Sequence, residues 1–256
     1  MTRPAAQLPF GGTLDLSGAR LVAQGRVRFV YEHDAFPGLL IKIVKPADLR
    51  QKSGPQRRRL RSLFKLKRRH GIYNQIRREI AEYLAYVNRA NRLDGNWPIA
   101  RQYGFVETDQ GVGFLHEKLA GPDGSLAPSI RELVQAGRFG PEHRLALEAF
   151  VQELIDRHVC VYDMNAGNIV YVVDPAGRGR CVAIDGLGAN AALPLRDWFA
   201  WFNAWKTRQC AKARLWDYLA RVDSRRIKPV TAGRNLGADQ EKQASSLTEG
   251  RTHSAQ

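Results

Sequence analysis

Residues Val161 to Val170 read V-Y-D-M-N-A-G-N-I-V, and how this stretch is read decides the fold. Asp163 stands five residues ahead of Asn168, and the apolar, largely β-branched run Ile169-Val170-Tyr171-Val172-Val173 follows at once. A second Asp, Asp185, closes the apolar run Val182-Ala183-Ile184 and leads into Gly186-Leu187-Gly188. The pattern predicts a loop, a short hairpin and a carboxylate at a strand end. That order is compatible with phosphoryl transfer. One carboxylate meets an acceptor hydroxyl, while an amide oxygen and a second carboxylate hold Mg²⁺ against the phosphates of ATP.

Asp-x-x-x-x-Asn alone arises by chance about once in 400 positions, so its surroundings have to carry the reading. Protein kinases place an apolar strand with a central Lys upstream of this loop, and Leu39-Leu40-Ile41-Lys42-Ile43-Val44 has that form. Lys42 would grip the nucleotide phosphates; the alternative is a solvent-facing cation on an edge strand. Before it, Leu21 to Tyr31 reads as strand, turn, strand, with Gly25 the only glycine in the loop that would cover ATP. After it, Arg78 to Val87 is helical in period, with Ile80, Leu84 and Val87 on one face. Glu79 is the helix carboxylate expected to hold Lys42. It is preferred to Glu82 because Tyr83 and Tyr86 fall where such a helix carries packing residues.

Glu117, in His116-Glu117-Lys118-Leu119-Ala120-Gly121, ends a strand where kinases have the linker that meets the adenine edge; an ordinary strand exit reads the same way. His158 lies five residues before Asp163, where a kinase has its catalytic-loop His only two before, so His158 reads as a helix-end residue. Asp163-Met164-Asn165-Ala166-Gly167 is also good turn chemistry. As a calcium loop it fails, because position twelve is Asp174 and the chain turns to a β pattern.

The 256 residues, 44% hydrophobic and 25% charged, suit one domain or one domain of two lobes. No apolar run reaches the ~20 residues a bilayer span needs, and Met1 to Gly12 lacks a signal-peptide layout. Three cysteines without paired spacing (Cys160, Cys181, Cys210) argue against disulfides or zinc and for a reducing cytoplasm. Cys160 and Cys181 read as core residues. The net charge of +15 is concentrated in residues 57–70, which hold eight Lys or Arg in fourteen positions. This segment is either a solvated insertion or a contact for an anionic membrane surface, placing the protein at the periphery of the inner membrane. Nucleic acid is disfavoured, since no aromatics are interleaved in a recognisable binding motif.

The expected organisation is a tail over 1–13, a folding unit over 14–222 and a polar, disordered tail over 223–256. Strands dominate as far as about residue 117 and helices thereafter. The fold class is α+β, a two-lobed protein-kinase-like fold with a β-rich N-lobe (about 14–117) and a helical C-lobe (about 118–222). Pro194 to Ala220 reads as a long amphipathic helical region bearing Trp198, Trp201, Trp205 and Trp216.

The ordered set Ile41-Lys42, Arg78-Glu79, Tyr103-Gly104-Phe105-Val106-Glu107-Thr108-Asp109-Gln110-Gly111-Val112-Gly113, Asp163 with Asn168, and Ile184-Asp185-Gly186-Leu187-Gly188 resembles the YrbL family. These are bacterial proteins of the PhoP regulatory network with a protein-kinase-like fold. The resemblance implies ATP and Mg²⁺ binding, a cytoplasmic location and a role in Mg²⁺ limitation or envelope stress. It assigns Asp163 to catalysis, Asn168 and Asp185 to the metal, and Lys42, Glu79, Gly25 and Glu117 to ATP. The acceptor is a protein or an envelope-related small molecule. Three departures from ordinary kinases stand out: no G-x-G-x-x-G, Asn165 where a Ser/Thr kinase has Lys, and no A-P-E after Asp185. An inactive, nucleotide-binding regulatory or scaffold protein is the alternative.

Overall fold

The computed structural model describes residues 12–25, 27–45, 73–89, 96–121, 123–174, 176–189 and 195–227. Strands β1 (Arg20–Gln24), β2 (Arg28–Glu32), β3 (Leu39–Val44), β4 (Gln102–Thr108) and β5 (Gly111–Glu117) form an antiparallel sheet in the order β1-β2-β3-β5-β4. Helix α1 (Asn74–Arg89) falls between β3 and β4 in the chain. Then come α2 (Ile130–Gln135), α3 (Pro141–Asp156) and a hairpin of β6 (Ile169–Val173) and β7 (Gly179–Ala183). Helices α4 (Leu195–Trp198) and α5 (Ala200–Ala211) and a π-helical turn (Lys212–Trp216) follow. The fold is thus α+β, with strands early and helices late. The chain divides into two compact units, Met1–Asp217 and Tyr218–Gln256. Helix α6 (Asp217–Ile227) runs five residues into the stretch expected to be tail, 223–256. The basic segment 57–70 and residues 228–256 lie outside the described residues.

Strand alternation gives the five-stranded sheet two unlike faces. Tyr31, Ile41, Ile43 and Leu115 pack with Leu16 and Phe36 into an apolar cluster on one face. The residues between them, Arg28, Val30, Leu40, Lys42, Phe114 and His116, lie on the other face, as the pairs Val30↔Lys42, Lys42↔Phe114 and Leu40↔His116 require. One-residue alternation therefore fixes both the core and the direction of the two buried cations. The β6–β7 hairpin is tied to the strand approach to β4: Ala183 accepts from the Ala100 amide (2.9 Å) and donates to Pro98 (2.8 Å). Ala100, Leu119, Ala127, Val170 and Val182 close a second apolar cluster there.

The long amphipathic helical region is helical as expected, with a break at Phe199 and a π turn inside an otherwise continuous helix. Its aromatic residues Trp198, Trp201 and Trp205 are exposed, while Asn203 and Thr207 are fully buried. The cause is Arg196, also buried, whose guanidinium needs acceptors. It donates to Asn203 Oδ1 (3.0 and 2.8 Å), Thr207 Oγ1 (3.2 Å) and the Val161 carbonyl (3.1 Å), and Asn203 donates to the Val159 carbonyl (3.3 Å). This network holds the backbone just ahead of Asp163. Removing an acceptor from a buried guanidinium costs about 2–4 kcal/mol. Asn203→Leu is therefore expected to lower the urea midpoint by that much stability at unchanged m-value; an unchanged midpoint would contradict the role assigned to this network.

Candidate active site

Three loops converge on the residues the sequence singled out. Helix α3 ends in a left-handed turn at His158 (φ 52°), with the Val159 amide returning to the Leu154 carbonyl at 2.8 Å, so His158 is the helix-end residue its position suggested. The chain then enters 159–168 as a series of turns. Asn165 Oδ1 accepts from the Gly167 amide (2.9 Å) and from Arg131 (3.0 Å), so this Asn shapes the loop. The Asn168 amide group donates to the Asp163 carbonyl (3.0 Å) and to Asp163 Oδ2 (3.3 Å). The Ile184 amide donates to the Asn168 carbonyl at 2.9 Å, which sets Asp185 beside both. Asp163, Asn168 and Asp185 thus come together.

Gly186 and Gly188 are required by this packing. Both have positive φ (78° and 89°). A Cβ on Gly186 would lie 2.9 Å from Asp163 Cβ, and one on Gly188 would lie 2.8 Å from the Arg78 carbonyl of α1. Asp-Gly-Leu-Gly therefore presses the Asp185 loop against both the Asp163 loop and α1.

Of the two acids on α1, Glu79 faces Asp185, while Glu82 accepts from the Cys160 amide (2.9 Å) and anchors the loop. The expectation that Glu79 holds Lys42 is corrected by the structure. Arg28, on β2, takes Glu79 with two parallel hydrogen bonds of 2.7 and 3.0 Å and also reaches Asp185 Oδ1 at 3.4 Å. Lys42 instead donates to the Ile184 carbonyl at 2.5 Å. The reason is geometric: the planar guanidinium fork matches a carboxylate with two bonds, which a lone ammonium cannot do. Gln75 completes the group, donating to Glu79 (3.2 Å) and Asp185 (3.3 Å).

Burial and charge set the protonation of this cluster. Burial pushes the Glu79 carboxyl up, the Asp185 carboxylate adds to this, and the Arg28 guanidinium only partly offsets it, leaving Glu79 at about 7. Burial acts the same way on Asp185, but Arg28 and Lys42 outweigh it and hold Asp185 well below the usual carboxylate range. Burial lowers the Lys42 ammonium, against the pull of Asp185 and Glu79. Asp185 is therefore the firmly ionised carboxylate of the pair.

Two other predicted positions are placed less tellingly. The Gly25 amide donates to the Arg28 carbonyl (2.9 Å) in the β1–β2 turn, and a Cβ there would meet nothing closer than 3.8 Å, so the turn itself does not demand glycine. The Glu117 side chain accepts from the Arg101 amide at 3.1 Å and so braces the end of β5. Sequence reasoning passed over Arg28, although it is, like Lys42, a cation within a strand that carries apolar residues.

The family described as PhoP regulatory network protein YrbL matches residues 14–221. The YrbL proteins of Escherichia coli (strain K12) and Shigella flexneri are each 28% identical over 130 residues, half of this chain. The matched stretch spans 60% of the length of those curated relatives. Among solved structures, Rad53 1–466 in complex with AMP-PNP is similar at a TM-score of 0.39 and 16% identity, over 65% of this chain and 37% of that one.

Breaking a buried ion pair from one side costs about 3–5 kcal/mol, because the partner charge is left unpaired. Arg28→Met is expected to destabilise the protein by that amount, and Arg28→Met combined with Glu79→Leu by clearly less than the two single changes added together. A double-mutant cycle by urea unfolding measures the coupling; additive effects would contradict the pairing.

Proposed function

The chain belongs to the YrbL family, and on that premise we propose that it is a two-lobed, kinase-like phosphotransferase that uses Mg·ATP to phosphorylate an alcohol. The observation that carries this reading is the convergence of Asp163, Asn168 and Asp185, with Lys42 bonded to the carbonyl next to Asp185. The donor set suits a hard divalent cation, which takes oxygen ligands. Asn168 fits particularly well: its nitrogen is turned to Asp163, and its Oδ1 accepts no hydrogen bond among the described residues. Asn168 and Asp185 would hold Mg²⁺, which when bound neutralises charge on the transferring phosphoryl group.

Lys42 and Arg28 supply two cations on one sheet face, buried where electrostatic attraction is little screened, and Lys42 holds the phosphates. Glu79, bound to Arg28, fixes that guanidinium and thereby braces Asp185. Gly25 in the first turn and Glu117 at the end of β5 would meet the nucleoside through backbone groups, since the Glu117 side chain is taken by the Arg101 amide. Asp163 is the more exposed carboxylate, 39% by side chain, and Arg214 comes no closer to it than 3.8 Å. It orients the acceptor hydroxyl and receives its proton. The acceptor is a protein or an envelope-related small molecule; Asn165 in place of Lys and the missing A-P-E keep the latter in contention. The second reading is a nucleotide-binding scaffold without transfer, favoured by the hold of Arg28 on the same Asp185 oxygen that faces Gln75.

Mg·ATP at a hundredfold excess over Kd is expected to stabilise the native state by ~2.7 kcal/mol. Lys42→Met and Asp185→Asn should each abolish the thermal shift, and an undiminished shift in both would contradict the site. Asp163→Asn should keep the shift and abolish phosphate transfer from ATP to envelope or lysate acceptors. If the in vivo role survives Asp163→Asn but is lost with Lys42→Met, the scaffold reading replaces the enzymatic one.

A further inference from the structure

His116 is 3% exposed, and neither of its ring nitrogens has a hydrogen-bond partner among the described residues. Directly opposite it on β4, Gln102 also has a buried, unpartnered Nε2. Three polar atoms on two facing side chains are thus unsatisfied at one place, where each orphan costs about 1–3 kcal/mol. Their location is telling. His116 pairs with Leu40, and Phe114 with Lys42, so His116 shares a sheet face with Lys42, the face turned to the Asp185 loop. On that face Lys42 stands level with Phe114, and Leu40 level with His116 and Gln102, so the cation and the unsatisfied polar pair lie at diagonal corners with the apolar Leu40 and Phe114 (its ring 5.1 Å from the imidazole) between them. Burial, reinforced by the charges of Lys42 and Arg28, holds the imidazole well below its usual pKa. His116 is therefore neutral and offers one donor and one acceptor.

A ligand matching this sequence of groups is anionic at one end, flat and apolar in the middle, and carries hydrogen-bonding groups on its far edge. Resting on the nucleotide reading above, we infer that His116, aided by Gln102, reads the heteroaromatic base of the bound nucleotide. The apolar stretch packs on the base, and an imidazole nitrogen makes a hydrogen bond to its edge, so the orphan atoms are satisfied only when the nucleotide is present.

The test is calorimetric titration of Mg·ATP and of Mg·tripolyphosphate, which lacks base and sugar, into wild type, His116→Leu, His116→Gln and Gln102→Leu, with the unliganded Tm of each. His116→Leu should weaken Mg·ATP at least tenfold, leave Mg·tripolyphosphate within twofold of wild type, and keep or raise the unliganded Tm. His116→Gln should restore most of the ATP affinity, and Gln102→Leu should fall between it and His116→Leu. Unchanged ATP affinity in His116→Leu would overturn this inference while leaving the nucleotide site intact. So would equal losses for both ligands or a lowered unliganded Tm, since either would assign His116 to packing. Wild type binding neither ligand would overturn the nucleotide reading and this inference with it.

Discussion

The Arg28 guanidinium, buried between the carboxylates of Glu79 and Asp185, is the contact on which the rest of the arrangement depends. It joins strand β2, helix α1 and the loop after β7, three elements far apart in sequence. Because Arg28 and Glu79 are withdrawn from water, neither can be removed singly without leaving the other unpaired. The positions of α1 and of the Asp185 loop relative to the sheet are therefore set by electrostatics as well as by apolar packing. The glycines of Asp-Gly-Leu-Gly let the loop approach closely enough for this, one against Asp163 and one against the α1 backbone.

Because Arg28 occupies Glu79, Lys42 is left on a backbone carbonyl, a weaker partner than a carboxylate and one that phosphate oxygens can replace. Two cations and one firmly ionised carboxylate then face the space between the sheet and the Asp163 loop. Burial, reinforced by the same cations, keeps His116 neutral on that face. Arg196, buried on the opposite side of the Asp163 loop, holds the Val161 carbonyl and so fixes the backbone two residues before Asp163.

Much of this was legible in the sequence where the local pattern had one solution. The apolar run around Lys42, the hairpin after Asn168 and the Asp that ends Ile184 each fix side-chain direction through strand alternation, and the structure keeps them. Glu79 rather than Glu82 does turn toward Asp185, but its partner is Arg28 and not the Lys42 the sequence suggested. What could not be read were contacts made across long separations. Nothing local distinguishes Arg28 from a turn cation, because its partners lie 51 and 157 residues away. The Trp-bearing region is helical as its pattern suggested, but its inner face is polar because Arg196 is buried there, and a hydrophobic period cannot anticipate a buried guanidinium.

The most direct test of the central claim is the crystal structure of the protein with a non-hydrolysable ATP analogue and Mn²⁺, using anomalous scattering to locate the metal. The expected result is a metal peak bound by Asn168 Oδ1 and the Asp185 carboxylate, phosphates on Lys42, and Arg28 still bonded to Glu79. A metal peak elsewhere, or nucleotide bound away from Lys42, would contradict it.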